Sequence, residues 1–311
     1  MVRPKALAAF VLTVALVAVI PAISSTSSAE ARQFGSDKPS SLGLERAHAH
    51  NDYEHERPLY DALSHGFKSV EADIWLVDGE LLVAHDQDEV QQGRTLRSLY
   101  LKPLWKLVKQ NSGSVYRGDP DYFTLLIDIK SEDVPTYLAL HEELRHYKQM
   151  LTKFGPHGVK DGAVTVIVSG NRPRELMEQQ RVRYAGYDGR LEDLGVATDQ
   201  SFIPLISDNW TETFTWTGDG PMPHEEREKL RSIVEIAHAN GQRVRFWATP
   251  EERPERKAVW EELLAANVDY INTDHLRALE RFLLRNDPEP TVPYVSWGDS
   301  GAAIPYERVG N

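Results

Sequence analysis

Glu71 and Asp73 stand two residues apart in the run Ser69-Val70-Glu71-Ala72-Asp73-Ile74-Trp75-Leu76. In an extended chain successive side chains alternate between faces. These two carboxylates therefore share one face with Trp75, while Val70, Ala72, Ile74 and Leu76 share the other. Two carboxylates held side by side repel unless something cationic lies between them, and a hard divalent ion is the natural candidate. The run Leu125-Leu126-Ile127-Asp128-Ile129-Lys130 repeats the pattern, with Leu125, Ile127 and Ile129 on an apolar face and Asp128 and Lys130 on the other. Placed beside the first run as a parallel neighbour, it brings a third carboxylate. It also brings a lysine that either meets an anionic ligand or pairs with Asp128 or Glu71. Two histidines arrive at the same end, His50 in Ala47-His48-Ala49-His50-Asn51-Asp52 and His85 in Val83-Ala84-His85-Asp86. Imidazoles beside a carboxylate cluster suit acid–base or nucleophilic chemistry near neutral pH. The remaining histidines, His48 included, are read as structural or solvated.

For these residues to meet, the elements carrying them must be adjacent and parallel. Short β-type runs at 46–51, 69–76, 124–130, 163–169, 183–187, 202–208, 243–248 and 269–273 alternate with helical patterns at 57–65, 96–110, 134–150, 172–180, 191–198, 224–240, 255–267 and 276–285. This alternation implies parallel strands with crossover helices, and the number of repeats matches a closed (β/α)₈ barrel, a TIM barrel, over residues 46–285. No G-x-G-x-x-G follows the first strand, which argues against an open dinucleotide-binding sheet. Residues 81–85, joined to the second strand through Asp78-Gly79, read as a small inserted hairpin. Asn171 with Pro173 reads as a helix start, and Asn240-Gly241 as a helix end. Barrel enzymes place their sites at the C-terminal ends of the strands, where both carboxylate runs finish.

Composition sets the outer limits. The 311 residues carry 47 acidic against 35 basic groups, a net charge of −12, which is the wrong sign for a nucleic-acid partner. The absence of cysteine excludes disulfides and thiol nucleophiles. Arg3 and Lys5, an apolar run from Ala6 to Ile23 and the closing Ala29-Glu30-Ala31 have the layout of a cleaved secretory signal over 1–31. The expected product is a secreted, monomeric protein with at most transient contact with a membrane surface. Residues 32–45 read as a flexible leader and 286–311 as an irregular tail.

Taken in order, His50-Asn51-Asp52-Tyr53, Pro58 to Leu63, Ser69 to Leu76, Val83-Ala84-His85-Asp86, Leu126 to Lys130, Arg245-Phe246-Trp247 and Ile271-Asn272-Thr273-Asp274 resemble the PLC-like phosphodiesterase superfamily. Within it the chain is most similar to the altered inheritance of mitochondria protein 6-like group. The resemblance implies a TIM barrel with one divalent cation, Mg²⁺ or Ca²⁺, and a phosphoric diester hydrolase acting on a glycerophosphodiester or lipid phosphodiester. It implies Glu71, Asp73, Asp128 and Asn51 as metal ligands, and His50 and His85 as the nucleophile or base and the acid. Lys130, Trp247 and Arg245 would then line the substrate site, with Arg245 holding either a carboxylate or the phosphate. The segment Asp128-Ile129-Lys130 is similar to the Asp-Leu-Lys of sphingomyelinase D-type enzymes. Asn51-Asp52 replaces the Arg-Gly usual in glycerophosphodiesterases. Two other readings compete: a glycosidase using paired carboxylates, and a barrel that binds a ligand without catalysis.

Overall fold

The computed structural model describes residues 42–156, 158–195 and 201–295. The expected signal segment, most of the leader and residues 296–311 of the tail lie outside these. The strands are β1 (Leu44–Ala49), β2 (Phe67–Val77), β3 (Glu80–Val83), β4 (Phe123–Ile129), β5 (Lys153–Gly155), β6 (Gly158–Lys160), β7 (Val164–Gly170), β8 (Ala185–Gly189), β9 (Leu205–Asn209), β10 (Arg243–Trp247) and β11 (Tyr270–Thr273). Parallel pairing runs β1-β11-β10-β9-β8-β7-β4-β2, and β2 pairs back onto β1, closing an eight-stranded TIM barrel. Strand β3 folds antiparallel onto β2 across the two-residue turn Asp78-Gly79, both of positive φ, as the mirror-image hairpin turns require. Hairpin β5–β6 lies apart from the barrel sheet.

The helices are α1 (Tyr60–Ser64), α2 (Lys102–Gln110), α3 (Asp133–His146), α4 (Arg174–Gln179), α5 (Trp210–Thr213), α6 (His224–Ala239), α7 (Glu255–Ala265) and α8 (Leu276–Asn286). Three expectations are corrected. The helix expected over 191–198 is a single 3₁₀ turn, Leu191–Asp193, within the described residues. Asn171 caps no helix; its amide donates to the Lys130 and Ser131 carbonyls and so ties the end of β7 to the loop after β4. The leader ends earlier than 45, because Leu44 and Glu45 already belong to β1, where Glu45 ion-pairs with Lys68. Beyond α8 the described tail packs under the barrel, where Arg46 pairs with Asp287 at 2.7 Å and donates to the Val292 carbonyl at 2.8 Å.

Apolar residues pack mainly between the strands and the helices; inside the barrel, among the described residues, Leu126, Ile167, Leu205 and Tyr270 form a separate apolar cluster. Below it lies a polar layer in which Arg243 donates to the Tyr270 hydroxyl, which also bonds Thr124. Toward the C-terminal ends of the strands the sequence places another: His48, Glu71, Arg245 and Asn272, all 5% exposed or less. The Arg245 guanidinium donates to Glu71 Oε2 and to Asn272 Oδ1, and His48 bonds both Ser69 and Glu71. The loop after β1 is organised by another buried acid. Asp52 Oδ2 accepts from the Leu59 N–H and the Tyr100 hydroxyl, and burial raises its pKa to about 7.

Two outcomes follow. Arg245→Ala leaves the Glu71 carboxylate buried without its partner and should destabilise the fold by about 3–5 kcal/mol in urea unfolding, with a smaller loss when Glu71→Gln is added. A loss below 1 kcal/mol would show that the pair is solvated. Asp52 keeps its proton to about pH 7 when folded but releases it near the ordinary aspartate value of about 4 when unfolded. Its contribution to stability is therefore full below pH 4 and is lost as pH rises through 7. Asp52→Asn should flatten this part of the stability profile between pH 4 and 8; an unchanged slope would refute the assignment.

Candidate active site

Register brings the acidic residues of β2 and β4 together. Asp73 lies opposite Asp128 in the parallel pair, and Glu71 sits one layer deeper on the same inward face. Lys130 Nζ lies 3.0 Å from Asp73 Oδ2 and 3.3 Å from Asp128 Oδ1. A glycine ends the neighbouring strand for a steric reason: a Cβ on Gly170, which has φ +68°, would come within 2.2 Å of Asp128 Oδ1. Burial by itself would raise the Glu71 pKa, but the Arg245 guanidinium and the His48 hydrogen bond hold that carboxyl well below the usual range. Burial and the charge of Glu71 push Asp73 and Asp128 the other way, upward, against the pull of Lys130. Three carboxylates facing two cations leave the site with negative charge in excess.

His50 follows β1, its backbone N–H bonded to the Thr273 carbonyl, and its Nδ1 meets Asp274 Oδ1 at 2.8 Å. Burial pulls its pKa down, but the Asp274 hydrogen bond and the charge of Glu71 outweigh it, and the net shift is upward. His85, just past the hairpin strand, sets Nδ1 at 3.2 Å from Asp73 Oδ2 and 3.1 Å from the Tyr53 hydroxyl. With Asp274 and Asp73 ionised, each carboxylate only accepts, so Nδ1 would then carry the proton in both rings and leave Nε2 for chemistry. The Tyr53 hydroxyl also lies 2.8 Å from Asp73 Oδ2 and 3.1 Å from Asn51 Oδ1, joining both sides of the site. Asn51 adopts a left-handed backbone, φ 44°, which asparagine tolerates better than most residues.

The far wall is built by β7, β8 and β9. Arg190 pairs with Asp188 at 2.8 Å, reaches Ser207 and Ser169, and lies over the half-buried Trp247 ring, 4.7 Å from its centroid. Trp247 thus faces the mouth in company with a guanidinium. Arg245 does not: at 3% exposure its contacts are Glu71 and Asn272, so the expectation that it binds substrate is corrected to that of an interior brace. Trp210 is likewise core, its indole N–H bonded to the Trp216 carbonyl. Sequence reasoning missed Tyr53, Asp274 and Arg190. The alternation Asp188-Gly189-Arg190 repeats that of Asp128-Ile129-Lys130 and could have flagged the last of these.

The donors fit a hard divalent ion in kind: all are oxygens, the local charge is negative, and Asp73 Oδ1 is buried without a hydrogen-bond partner. The expected four-ligand centre of Glu71, Asp73, Asp128 and Asn51 is nevertheless not assembled. Among the described residues no three His, Asp or Glu groups are placed to hold a metal. Lys130 stands between Asp73 and Asp128, Glu71 is engaged by Arg245, and Asn51 accepts from Tyr53. The carboxylates are the residues that would hold an ion, and Lys130 is the group that would give way to it.

Comparison with known proteins places this geometry. Residues 42–188 match the AIM6-like phosphodiesterase domain and residues 243–277 the glycerophosphoryl diester phosphodiesterase family. The Altered inheritance of mitochondria protein 6 of Eremothecium gossypii is 30% identical over 283 residues, covering 77% of this chain and 69% of the relative. The homolog of that protein in Arthroderma benhamiae is 28% identical over 260 residues, covering 76% and 82%. Among solved structures, the phosphatidylinositol-specific phospholipase C from Listeria monocytogenes aligns at 9% identity and TM-score 0.45, over 81% of this chain and 96% of the other. A glycerophosphoryl diester phosphodiesterase from Parabacteroides distasonis aligns at 14% and 0.45, over 85% and 93%. On the strength of the Eremothecium gossypii relative, the chain belongs to the altered inheritance of mitochondria protein 6 family, and its residues 42–188 match a phosphodiesterase-like domain.

Proposed function

We propose that this chain is a phosphoric diester hydrolase in which His50 and His85 carry the proton transfers. One observation carries the reading: each imidazole is polarised through Nδ1 by its own carboxylate, at the same end of the barrel as Asp73, Asp128 and Lys130. His50, backed by Asp274, takes the proton from the attacking hydroxyl. As the new P–O bond forms, His85 delivers a proton to the departing alkoxide and the old P–O bond breaks. Asp274 keeps His50 oriented and stabilises its imidazolium. Lys130, after β4, and Arg190, after β8, meet the nonbridging oxygens, and Trp247 lines the entrance. A divalent cation held by Asp73 and Asp128, Mg²⁺ or Ca²⁺, would neutralise phosphoryl charge when bound. The favoured substrates are glycerophosphodiesters and lipid phosphodiesters, and the 1–31 layout supports export before action. A glycosidase needs open space between its two carboxylates, whereas here Lys130 fills the space between Asp73 and Asp128.

The test is a panel of glycerophosphodiesters, lysophospholipids and phosphatidylinositol followed by phosphorus NMR. His50→Ala and His85→Ala should each lower kcat by about 10²–10⁴-fold. Asp274→Asn should shift the acid limb of the pH–rate profile. Chelation should remove activity, and Mg²⁺ or Ca²⁺ should restore it. Turnover that survives both histidine replacements, or cleavage confined to glycosides, would overturn the proposal.

A further inference from the structure

A groove of about 590 Å³ runs between α7 and α8, and its lining holds Arg253, Lys257, Arg277, Arg281 and Arg285 but no carboxylate. In a chain with 47 acidic and 35 basic groups, five fixed cations around one concavity stand against the general charge. The helices explain how they gather. Arg277, Arg281 and Arg285 recur every four residues on α8, so they form one stripe, with about 6 Å of axial rise between neighbours. Arg253 and Lys257 supply the opposite wall from the start of α7. Lys257 pairs with Glu261, whereas Arg253 and the three α8 arginines have no ion pair among the described residues. The floor is apolar, made by Trp260 and Phe282, whose rings lie 5.4 Å apart. The groove opens at the catalytic end: His275, part of its lining, follows Asp274, which holds His50.

We infer that this groove binds a linear polyanion, a phosphodiester-linked polyol chain, and leads it to the mouth of the barrel. The inference rests on the hydrolase reading above and extends it to a class of substrate. A trough with cations on both walls encloses a chain, whereas a bilayer would meet only the groups at its rim. The spacing agrees. Successive phosphorus atoms joined through a three-carbon polyol are six bonds apart, about 7 Å when extended, on the scale of two peptide units. Successive arginines on α8 can therefore meet successive phosphates, as basic residues do along a nucleic-acid backbone.

The experiment uses the full chain carrying His50→Ala to suppress turnover, with and without R277Q/R281Q/R285Q. Each is titrated with poly(glycerol phosphate), with a single glycerophosphodiester, and with phosphatidylglycerol vesicles. The triple replacement should weaken polymer binding at least tenfold and reduce the slope of log affinity against log salt by about 2. The charge-preserving R277K/R281K/R285K should retain binding, and the single diester should bind weakly to all forms. Equal polymer affinity with and without the arginines would overturn the inference, as would arginine-dependent binding of vesicles but not of polymer. If the groove binds polymer while the unmodified protein cleaves no phosphodiester, it is the catalytic reading that fails and not the groove.

Discussion

The mouth of this barrel, at the C-terminal ends of its strands, is governed by charge balance. Glu71, Asp73 and Asp128 are brought together by strand register, and the protein meets them with only two cations, Arg245 and Lys130. The two cations differ in kind. Arg245 is interior, donates to both Glu71 and Asn272 and is a fixed part of the barrel. Lys130 reaches Asp73 and Asp128 from the rim on a flexible stem, and it can exchange these partners for a phosphate. The deeper carboxylate is thereby structural and the outer two are available.

This arrangement couples the acids to the imidazoles. Asp73 touches Lys130, the Tyr53 hydroxyl and His85 through one oxygen, while its other oxygen is buried without a partner. An unpartnered buried oxygen costs stability, and this one lies at the centre of the charged cluster. On the other side, the Asp274–His50 contact holds the second imidazole without drawing on the crowded cluster. The two histidines thus lie against separate carboxylates, His50 against Asp274 and His85 against Asp73.

The strands of the barrel were legible because both the apolar face toward the helices and the charged face toward the interior obey a period of two. Asp128 and Lys130 were paired with Glu71 and Asp73 on that ground alone, and the register of β2 and β4 agrees. What was not legible depended on neighbours remote in sequence. Arg245 shares a face with Trp247, yet its partner Glu71 is 174 residues away, so one residue points into the interior and the other to the mouth. Periodicity reports a face but not a depth. The expected ligand set is not assembled for a related reason: a lysine can satisfy two carboxylates where an ion would otherwise stand, and the distances that decide this are not carried by the sequence. A helix after β8 was expected from alternation, but among the described residues it is one turn, Leu191–Asp193, and Asp193 is held by Arg174 and by the Arg190 backbone N–H.

Calorimetric titration of the purified chain with Mg²⁺ and Ca²⁺, beside its Asp73→Asn variant, tests the charge balance most directly. The account predicts saturable one-to-one binding of at least one of these ions to the wild type, and its loss in the variant, where the excess negative charge is gone. No binding to the wild type, or equal binding to both, would mean that Lys130 and Arg245 already satisfy the cluster and that the excess charge on which the account rests does not exist.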